Sequence, residues 1–327
     1  MRRRILSLVL AAAIPLAAQA PKKPWTVPRT PDGHPDLQGI WTNATLTPLE
    51  RPAELANRPY FTEDEAAAYE KKRVQDTDVD KADDGSRGPA DLARRAYNAA
   101  FFDRGTHIVK SRRTSLVVDP PDGRIPAFTP EAQKRFDQAK AYFAAHPADG
   151  PEDRNLSERC LVFSGVGPPM LPEPYNNNYQ ILQTPAHVVI QAEMNHTARI
   201  VLMGVNKPPL PTEIRQWAGD SRGHWDGDTL VVETTNVKFN DQSHFGVAYG
   251  AGMTDENLRV VERFTRTGPD VITYRATVED ATVYSRPWTI EMSMSAARGP
   301  LFEYACHEGN YGMSGILSGF RAQEGQR

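Results

Sequence analysis

The feature that most constrains the fold is an alternation of apolar and polar residues, with a period of two, in the C-terminal half of the chain. It is clearest at 271–280, where Ile272, Tyr274 and Ala276 occupy every second position. Residues 288–295 alternate in the same way. Because successive side chains of a strand point to opposite faces, this pattern predicts strands with one buried and one solvated face.

Short turn signals join these strands to their neighbours. Asp226-Gly227 separates two strand candidates, and Asn195-His196-Thr197 and Gly268-Pro269-Asp270 separate two further pairs. Links of this length are typical of antiparallel hairpins. With about eight to ten strands between 175 and 310, the last at 302–308, the sequence predicts a mainly β fold. We expect an antiparallel lipocalin-like barrel or half-open barrel, with a sandwich as the alternative.

The first half of the chain has a different character. It is rich in proline, with one short strand candidate at 37–43 and another at 114–118. Helical patterns with capping threonines occur at 62–74 and at about 130–145. We therefore expect three regions: a signal peptide at 1–20, an extended Pro-rich region with two helices packing on the barrel at 21–160, and the antiparallel barrel domain at 161–327.

The first twenty residues predict export. Three arginines at 2–4 precede an apolar run at 5–18, and Ala18-Gln19-Ala20 has the small residues of a cleavage site. The mature chain is then expected to begin at Pro21 and to work in the periplasm or outside the cell. No later stretch approaches the ~20 apolar residues of a transmembrane helix, so we predict no transmembrane segment.

Charge and location limit the expected partners. The formal net charge is −3 over 327 residues, and no basic stripe stands out. This distribution argues against a nucleic-acid partner. Export argues against nucleotide-dependent chemistry, because cytoplasmic cofactor pools are absent there. We predict no cofactor and a small-molecule or saccharide ligand.

The chain contains two cysteines, Cys160 and Cys306. An even number of cysteines in an oxidising compartment favours a disulfide. The alternative is a pair of buried free thiols. A bridge between the two would tie the start of the C-terminal half to its last predicted strand.

Several strings are distinctive: Pro-Asp-Leu-Gln-Gly-Ile-Trp at 35–41, Arg-Thr-Ser-Leu-Val-Val-Asp-Pro-Pro-Asp-Gly-Arg-Ile-Pro at 113–126, Tyr-Asn-Asn-Asn-Tyr at 175–179, Gly-Asp-Ser-Arg-Gly-His-Trp-Asp-Gly-Asp-Thr-Leu-Val-Val-Glu-Thr at 219–234 and Glu-Tyr-Ala-Cys-His-Glu-Gly-Asn-Tyr at 303–311. Together they resemble a large family of secreted acidobacterial and proteobacterial proteins of uncharacterised activity. The resemblance spans nearly the whole mature chain. It implies no particular reaction, so functional inference depends on the residues themselves.

The last predicted strand carries an unusual density of titratable and polar groups. His307 and Glu308 follow Cys306, and Tyr304 and Asn310 lie close by in sequence. A disulfide at Cys306 would hold these neighbours rigidly, and histidine suits acid–base work near neutral pH. We interpret His307 and Glu308 as candidate catalytic groups, and Tyr304 and Asn310 as candidate substrate-binding groups. The alternative is that His307 only orients a loop at the barrel rim.

A second candidate cluster surrounds the hairpin near 195. Glu193 and His196 supply a carboxylate and an imidazole, and Arg199 follows with a guanidinium group. Such a set can neutralise an acidic substrate and move a proton, which predicts catalytic roles for Glu193 and His196 and a binding role for Arg199. Equally, hairpin tips are polar because they are solvated.

Four further residues are candidates for substrate binding. Arg222 and His224 precede the Asp-Gly turn, and Asn176 and Asn178 lie between two tyrosines. Guanidinium and amide groups suit an anionic or hydroxylated substrate. The alternative is that the asparagines are simply good turn formers.

The sequence contains no His-Glu-x-x-His string, no pair of Cys-x-x-Cys strings and no Asp-rich calcium loop. His196, His224 and His307 could converge across a barrel, but their spacing does not require it. We therefore predict no metal site.

These residues favour a secreted or periplasmic lyase or hydrolase that acts on a small molecule or saccharide by His/Glu acid–base chemistry. The polar pocket is expected in the barrel, with His307, Glu308 and Asn310 facing His196. One alternative is a non-catalytic lipocalin-like protein that binds a small apolar or amphipathic ligand. Another is an envelope-structural protein, in which the same groups form a solvated surface.

Overall fold

A computed structural model describes residues 25–78, 102–204, 209–238 and 256–324. The predicted signal peptide lies outside the described residues. The strands of these ranges are β1 (Gly39–Thr42), β2 (Val117–Asp119), β3 (Asn178–Gln183), β4 (His187–Ala192), β5 (Ala198–Met203), β6 (Asp220–Asp226), β7 (Thr229–Thr235), β8 (Arg259–Gly268), β9 (Val271–Glu279) and β10 (Trp288–Ala296). The helices are α1 (Glu63–Asp76), α2 (Pro130–Ala145) and α3 (Gly312–Glu324).

The strands form one sheet that closes on itself. Its order is β1-β3-β4-β5-β6-β7-β8-β9-β10, and β10 pairs with β1 to complete a nine-stranded barrel. The tenth strand, β2, lies outside this ring and pairs with the first half of β10. The prediction of a mainly β fold built on a barrel is confirmed.

The barrel differs from the prediction in the direction of one strand pair. Strands β5 and β6 run parallel, with Val201 opposite Ser221, whereas the other ladders are antiparallel. A parallel pair cannot be joined by a tight hairpin, because the chain must return to the starting end of the first strand before the second begins. The expectation of an exclusively antiparallel sheet between 175 and 310 is therefore wrong at this pair.

Closure depends on a strand from the Pro-rich N-terminal region. Trp41 of β1 pairs with Tyr179 of β3 on one side and with Ala296 of β10 on the other. The strand candidate at 37–43 is confirmed, and its role is to join the two ends of the sheet.

The predicted alternation separates the barrel interior from its outer wall. On β9 the side chains of Ile272, Tyr274 and Ala276 are fully buried, while Thr273 is partly exposed and Arg275 exposed. Strands β8 and β10 alternate in the same way, so their buried faces belong to one continuous hydrophobic core. The inward faces of the strands thus form the main core of the protein.

A segment that we call the plug, residues 165–172, fills part of this interior. Val166, Met170 and Leu171 are almost completely buried. The N–H of Met170 donates to the Tyr274 hydroxyl at 2.9 Å, and the Tyr179 hydroxyl donates to the carbonyl of Gly165 at 2.6 Å. The plug and the inward side chains therefore occupy the space in which a lipocalin-type barrel holds its ligand.

The two predicted helices are present, and each begins at the predicted threonine. Thr62 forms a capping box with Glu65, in which the Glu65 N–H donates to Thr62 Oγ1 and the Thr62 N–H donates to Glu65 Oε2. Thr129 caps α2 by accepting the N–H of Ala132 at 3.2 Å, with Pro130 at the first helical position.

The predicted strand at 302–308 is wrong, because this segment is irregular and leads into α3. The physical reason lies in β10. One edge of β10 is paired with β9, and the other is shared by β1 and β2. With β10 paired along both edges, a following strand has no adjacent edge to join.

Cys160 and Cys306 are joined by a disulfide, with a Cα–Cα distance of 5.7 Å, as predicted. The bridge ties the segment after β10 to the segment before the plug, 146 residues earlier. None of the helices in the described ranges is long and apolar enough to cross a membrane.

Candidate functional site

A cleft of about 360 Å³ lies where the C-terminal end of α1, the segment after β1 and the segment after the plug come together. Its wall combines apolar, hydroxyl-bearing and charged side chains. Its lining residues include Thr45, Thr47, Leu49, Arg73, Arg104 and Glu173.

Glu173 is the buried acid of this cleft. Its residue surface is only 7% exposed, and its Oε1 accepts the backbone N–H of Gly165 at 2.9 Å. Burial raises the pKa of the carboxyl to about 7, and the Gly165 N–H opposes this rise only in part. At neutral pH the carboxyl is therefore present in both its protonated and its ionised form.

The local sequence holds Glu173 rigidly. It lies between Pro172 and Pro174, whose rings restrict the backbone. The backbone N–H of Glu173 donates to Asn177 Oδ1 at 2.7 Å, and Asn177 Nδ2 donates back to the Glu173 carbonyl at 2.8 Å. Asn177 is itself buried, so the middle asparagine of the Tyr-Asn-Asn-Asn-Tyr string positions the acid.

Two arginines contribute positive charge to the cleft wall. Arg73 lies in the last turn of α1, where the partial negative charge of the helix C-terminus favours a cation. Arg104 approaches from another segment, and its guanidinium carbon lies 4.5 Å from the centroid of the Phe102 ring. This cation–π contact orients Arg104 before any ligand binds.

Glu173 is connected to the barrel interior through one peptide group. The N–H of Gly165 donates to Glu173, and the carbonyl of Gly165 accepts the hydroxyl of Tyr179. Asn43 Nδ2 donates to the same hydroxyl at 3.2 Å. Burial, followed by the nearby charge of Glu173, raises the pKa of Tyr179, so this phenol stays protonated.

The predicted binding role of Arg199 requires its side chain to face a surface pocket, and it does not. It lies inside the barrel, where its Nη1 and Nη2 donate to Glu262 Oε2 and Oε1 at 2.7 and 2.9 Å. The Tyr274 hydroxyl donates to Glu262 Oε1 at 2.8 Å. Both charged side chains are at most 1% exposed, so the pair is a closed structural ion pair.

The structure brings three predicted site residues together around Glu193. Asn176 Nδ2 donates to Glu193 Oε1 at 2.6 Å, and Asn178 Nδ2 donates to Oε2 at 3.0 Å. Glu193 is buried, and both of its oxygens are engaged. Partial burial, and secondarily Glu193, raise the pKa of nearby Asp103. These contacts give Asn176 and Asn178 a role in holding the β3–β4 end of the barrel.

His307 and His196 were predicted to line one pocket. The structure places their chain segments near each other, but not in a shared pocket. The two segments lie near each other, because Asn195 Nδ2 donates to the Cys160 carbonyl at 3.4 Å and Asn310 Nδ2 contacts Cys160 Sγ at 3.3 Å. Both imidazoles are nevertheless exposed, as is Glu308. Tyr304 packs edge-on against the ring of Phe163, at 5.7 Å between centroids. None of these predicted residues lines the Glu173 cleft.

Arg222 and His224 lie on β6, and they too are absent from the cleft wall. Arg222 Nη2 donates to Asp220 Oδ2 at 2.9 Å, and the same oxygen accepts the N–H of Leu210. His224 is exposed, while its neighbour Trp225 stacks on His34 at 4.9 Å. The Arg222–Asp220 pair thus fastens the link between β5 and β6.

Sequence reasoning missed Glu173, Arg73 and Arg104. A signal for Glu173 was present, since an acid between two prolines directly follows the apolar residues of the plug. Acidic residues are almost never buried without a structural or functional reason. The two arginines had no comparable signal, because a basic residue in the last turn of a helix is commonplace.

The described residues contain no group of three or more His, Cys, Asp or Glu side chains that could hold a metal ion. Comparison of the chain with protein-family models, with curated proteins and with solved structures finds no match. The functional inference therefore rests on the geometry of the Glu173 cleft.

Proposed function

We propose that this protein is an exported lyase or hydrolase that acts on a small anionic molecule or an acidic saccharide in the Glu173 cleft. The observation that supports this proposal is a buried carboxyl with a pKa of about 7, in a cleft whose wall also contains two arginines. Strongly perturbed carboxyls in clefts are favoured positions for acid–base catalysis.

The pKa suits both directions of proton transfer. A general acid or base works best when its pKa lies near the working pH, because both forms are then available. As a carboxylate, Glu173 can take a proton from a substrate carbon or from an attacking water. As a carboxylic acid, it can return that proton to the leaving oxygen. Removal of a proton from a substrate carbon begins an elimination, whereas removal of a proton from water begins a hydrolysis.

Arg73 and Arg104 account for the substrate class. Guanidinium groups pair with carboxylates and phosphates through two parallel hydrogen bonds. Arg104 is already oriented by Phe102, so less side-chain entropy is lost when it binds an anion. An anionic group on the substrate would thus be held while Glu173 acts on a neighbouring atom.

The packed interior argues against the lipocalin-like alternative. A ligand held inside the barrel would have to displace Met170 and Leu171 of the plug, which are at most 1% exposed. It would also break the hydrogen bonds that join the plug to Tyr179 and Tyr274. A non-catalytic role would therefore place the ligand in the same cleft and not inside the barrel.

The test uses the mature protein and a panel of acidic saccharides and hydroxy-carboxylates, with products detected by mass spectrometry. For a substrate found in this way, Glu173→Gln should lower kcat/KM by ~100-fold or more, the scale expected for loss of an acid–base group. The rate should also show a pH limb near 7 that the variant has lost. Glu303→Gln is the matched control, because Glu303 is exposed and lies outside the cleft.

Two results would count against the proposal. Full turnover by Glu173→Gln would remove this carboxyl from the chemistry. Saturable binding in the cleft with no product from any bound compound would instead support the non-catalytic binding protein.

A further inference from the structure

Arg51 is a buried cation whose hydrogen-bond partners are all neutral. Only 4% of its surface is exposed. Its Nε donates to Thr114 Oγ1 at 3.0 Å, and its Nη1 donates to the carbonyls of Pro121 and Ala56 at 3.1 and 3.4 Å. Within the described ranges, no carboxylate lies within ion-pair distance of this guanidinium group.

A buried charge of this kind normally has a counter-ion. Burying an unpaired ion is strongly unfavourable, and arginine cannot escape this cost by losing its proton. Burial and the neighbouring Arg113 lower the pKa of Arg51, in keeping with a positive charge that is not neutralised. The Nη2 group makes no hydrogen bond to the described residues, and it lies beside Gly123, where a Cβ atom would come within 2.9 Å of it. It can therefore donate to a bound anion.

Two more guanidinium groups, those of Arg113 and Arg124, lie close enough for their charges to act on Arg51. Arg113 precedes Thr114, the residue that holds Arg51, and Arg113 is fastened by donating to the Tyr60 hydroxyl at 2.7 Å. Its guanidinium carbon lies 5.0 Å from the centroid of the Tyr60 ring. On the other side, the Arg51 N–H donates to the carbonyl of Gly123, and Arg124 follows directly in the chain.

Two carboxylates lie beside this cluster. Glu50 precedes Arg51 in the chain, and its Oε1 accepts the N–H of Ile125 at 2.8 Å. Asp122 accepts the backbone N–H of Arg124 at 3.0 Å, and its charge acts on Arg51 without forming an ion pair. Three guanidinium groups outnumber the two carboxylates, so the cluster keeps a net positive charge, and several guanidinium groups together suit the multiple acceptor oxygens of a phosphate.

We propose that Arg51, Arg113 and Arg124 form a binding site for a phosphate dianion. Arg51 is the anchored donor, Arg113 is oriented by Tyr60, and the exposed Arg124 closes over the ligand. The phosphate can be the free ion or a phosphomonoester on a lipid headgroup. This site shares no residue with the wall of the Glu173 cleft, so it stands independently of the proposed reaction.

The first experiment titrates inorganic phosphate into the mature protein by isothermal titration calorimetry. Saturable binding at a single site is expected for the wild type. Arg124→Ala should weaken it about tenfold, which corresponds to about 1.4 kcal/mol. Arg298→Ala is the matched control, since Arg298 is exposed and lies far along the chain on the segment after β10, and it should leave the affinity unchanged.

Arg51→Met tests the anchored donor and should abolish phosphate binding. If this variant does not fold, Arg113→Ala and Arg124→Ala decide the question, because Arg113 is only half-buried and Arg124 is exposed. Equal losses of phosphate affinity in Arg124→Ala and Arg298→Ala would overturn the proposal. The absence of saturable binding to the wild type at millimolar phosphate would also overturn it.

A second arm distinguishes the two sources of the phosphate. Vesicles of phosphatidylcholine, with and without about one tenth phosphatidic acid, are sedimented with the protein. Co-sedimentation that requires phosphatidic acid and is lost in Arg124→Ala identifies a lipid headgroup. Calorimetric binding of inorganic phosphate without co-sedimentation identifies a soluble phosphate. Both of these outcomes support the site. The absence of both calorimetric binding and co-sedimentation refutes it.

Discussion

Replacement of Glu173 by glutamine should change how the stability of the protein depends on pH. The ordinary pKa of this carboxyl is 4.5, and in the folded protein burial raises it to about 7. Between these values the folded state holds the proton while the unfolded state has released it. The contribution of the Glu173 carboxyl to the free energy of unfolding is therefore fully present below about pH 4.5. It is lost as the pH rises through about 7. Glutamine has a similar shape and does not titrate.

The size of this loss of stability follows from the raised pKa of Glu173. One pKa unit is equivalent to 1.36 kcal/mol, so the wild type should lose about 2.5 kcal/mol of unfolding free energy between about pH 5 and about pH 8 through this group alone. Little of the shift is screened by water, because Glu173 is only 7% exposed. Glu173→Gln should therefore match the wild type near pH 5 and exceed its stability by about 2.5 kcal/mol near pH 8.

The measurement is urea unfolding followed by tryptophan fluorescence at a series of pH values, with the disulfide intact. The informative quantity is the difference between variant and wild type, because other titrating groups contribute equally to both. Glu303→Gln serves as the control and should show no such trend, since its side chain is exposed. A difference that stays constant from pH 5 to pH 8, or that changes with the opposite sign, would refute the raised pKa.

Three further predictions concern stability, each measured by urea unfolding. Arg199→Met should cost about 3–5 kcal/mol by leaving Glu262 buried without its partner, whereas adding Glu262→Leu should recover most of the loss; a double variant as unstable as the single one would contradict this. Serine at both Cys160 and Cys306 should cost up to about 5 kcal/mol, because the bridge spans 146 residues, and no loss would contradict the chain-entropy argument. Thr62→Ala should cost about 1 kcal/mol by removing the cap of α1, and an unchanged midpoint would show that the cap contributes nothing.

The strands of the barrel were predictable because their alternation is a local property. Ile272, Tyr274 and Ala276 had to share a face in any sheet that buried them. The direction of a neighbouring strand leaves no such trace, so the parallel pairing of β5 and β6 could not be read from either strand alone. The segment at 302–308 also looked like a strand, and it failed because β10 had no edge left.

The site was less predictable because burial redistributes the roles of polar residues. Arg199 was recognised as important, but its partner Glu262 lies far away in sequence, and only the closed barrel brings the two together. The sequence did contain a pattern that indicated burial of both groups. Arg199 lies two positions from buried Val201 on β5, and Glu262 lies two positions from buried Val260 on β8. The pKa of Glu173 is raised by burial in the folded protein, and the sequence around this residue does not show how deeply its carboxyl is buried.

The position of β1 in the ring has a consequence for how the molecule is made. Trp41 is synthesised long before one of its partners, Ala296, because the two residues lie far apart in the sequence. Until β10 has been made, β1 can pair with β3 but keeps its other edge open, and contacts this distant in sequence form slowly. Open edges of apolar strands are sites of aggregation. A chain shortened at its N-terminus past Thr42 would leave open the edge of β3 and the part of β10 that β2 does not cover, and self-association would then compete with folding.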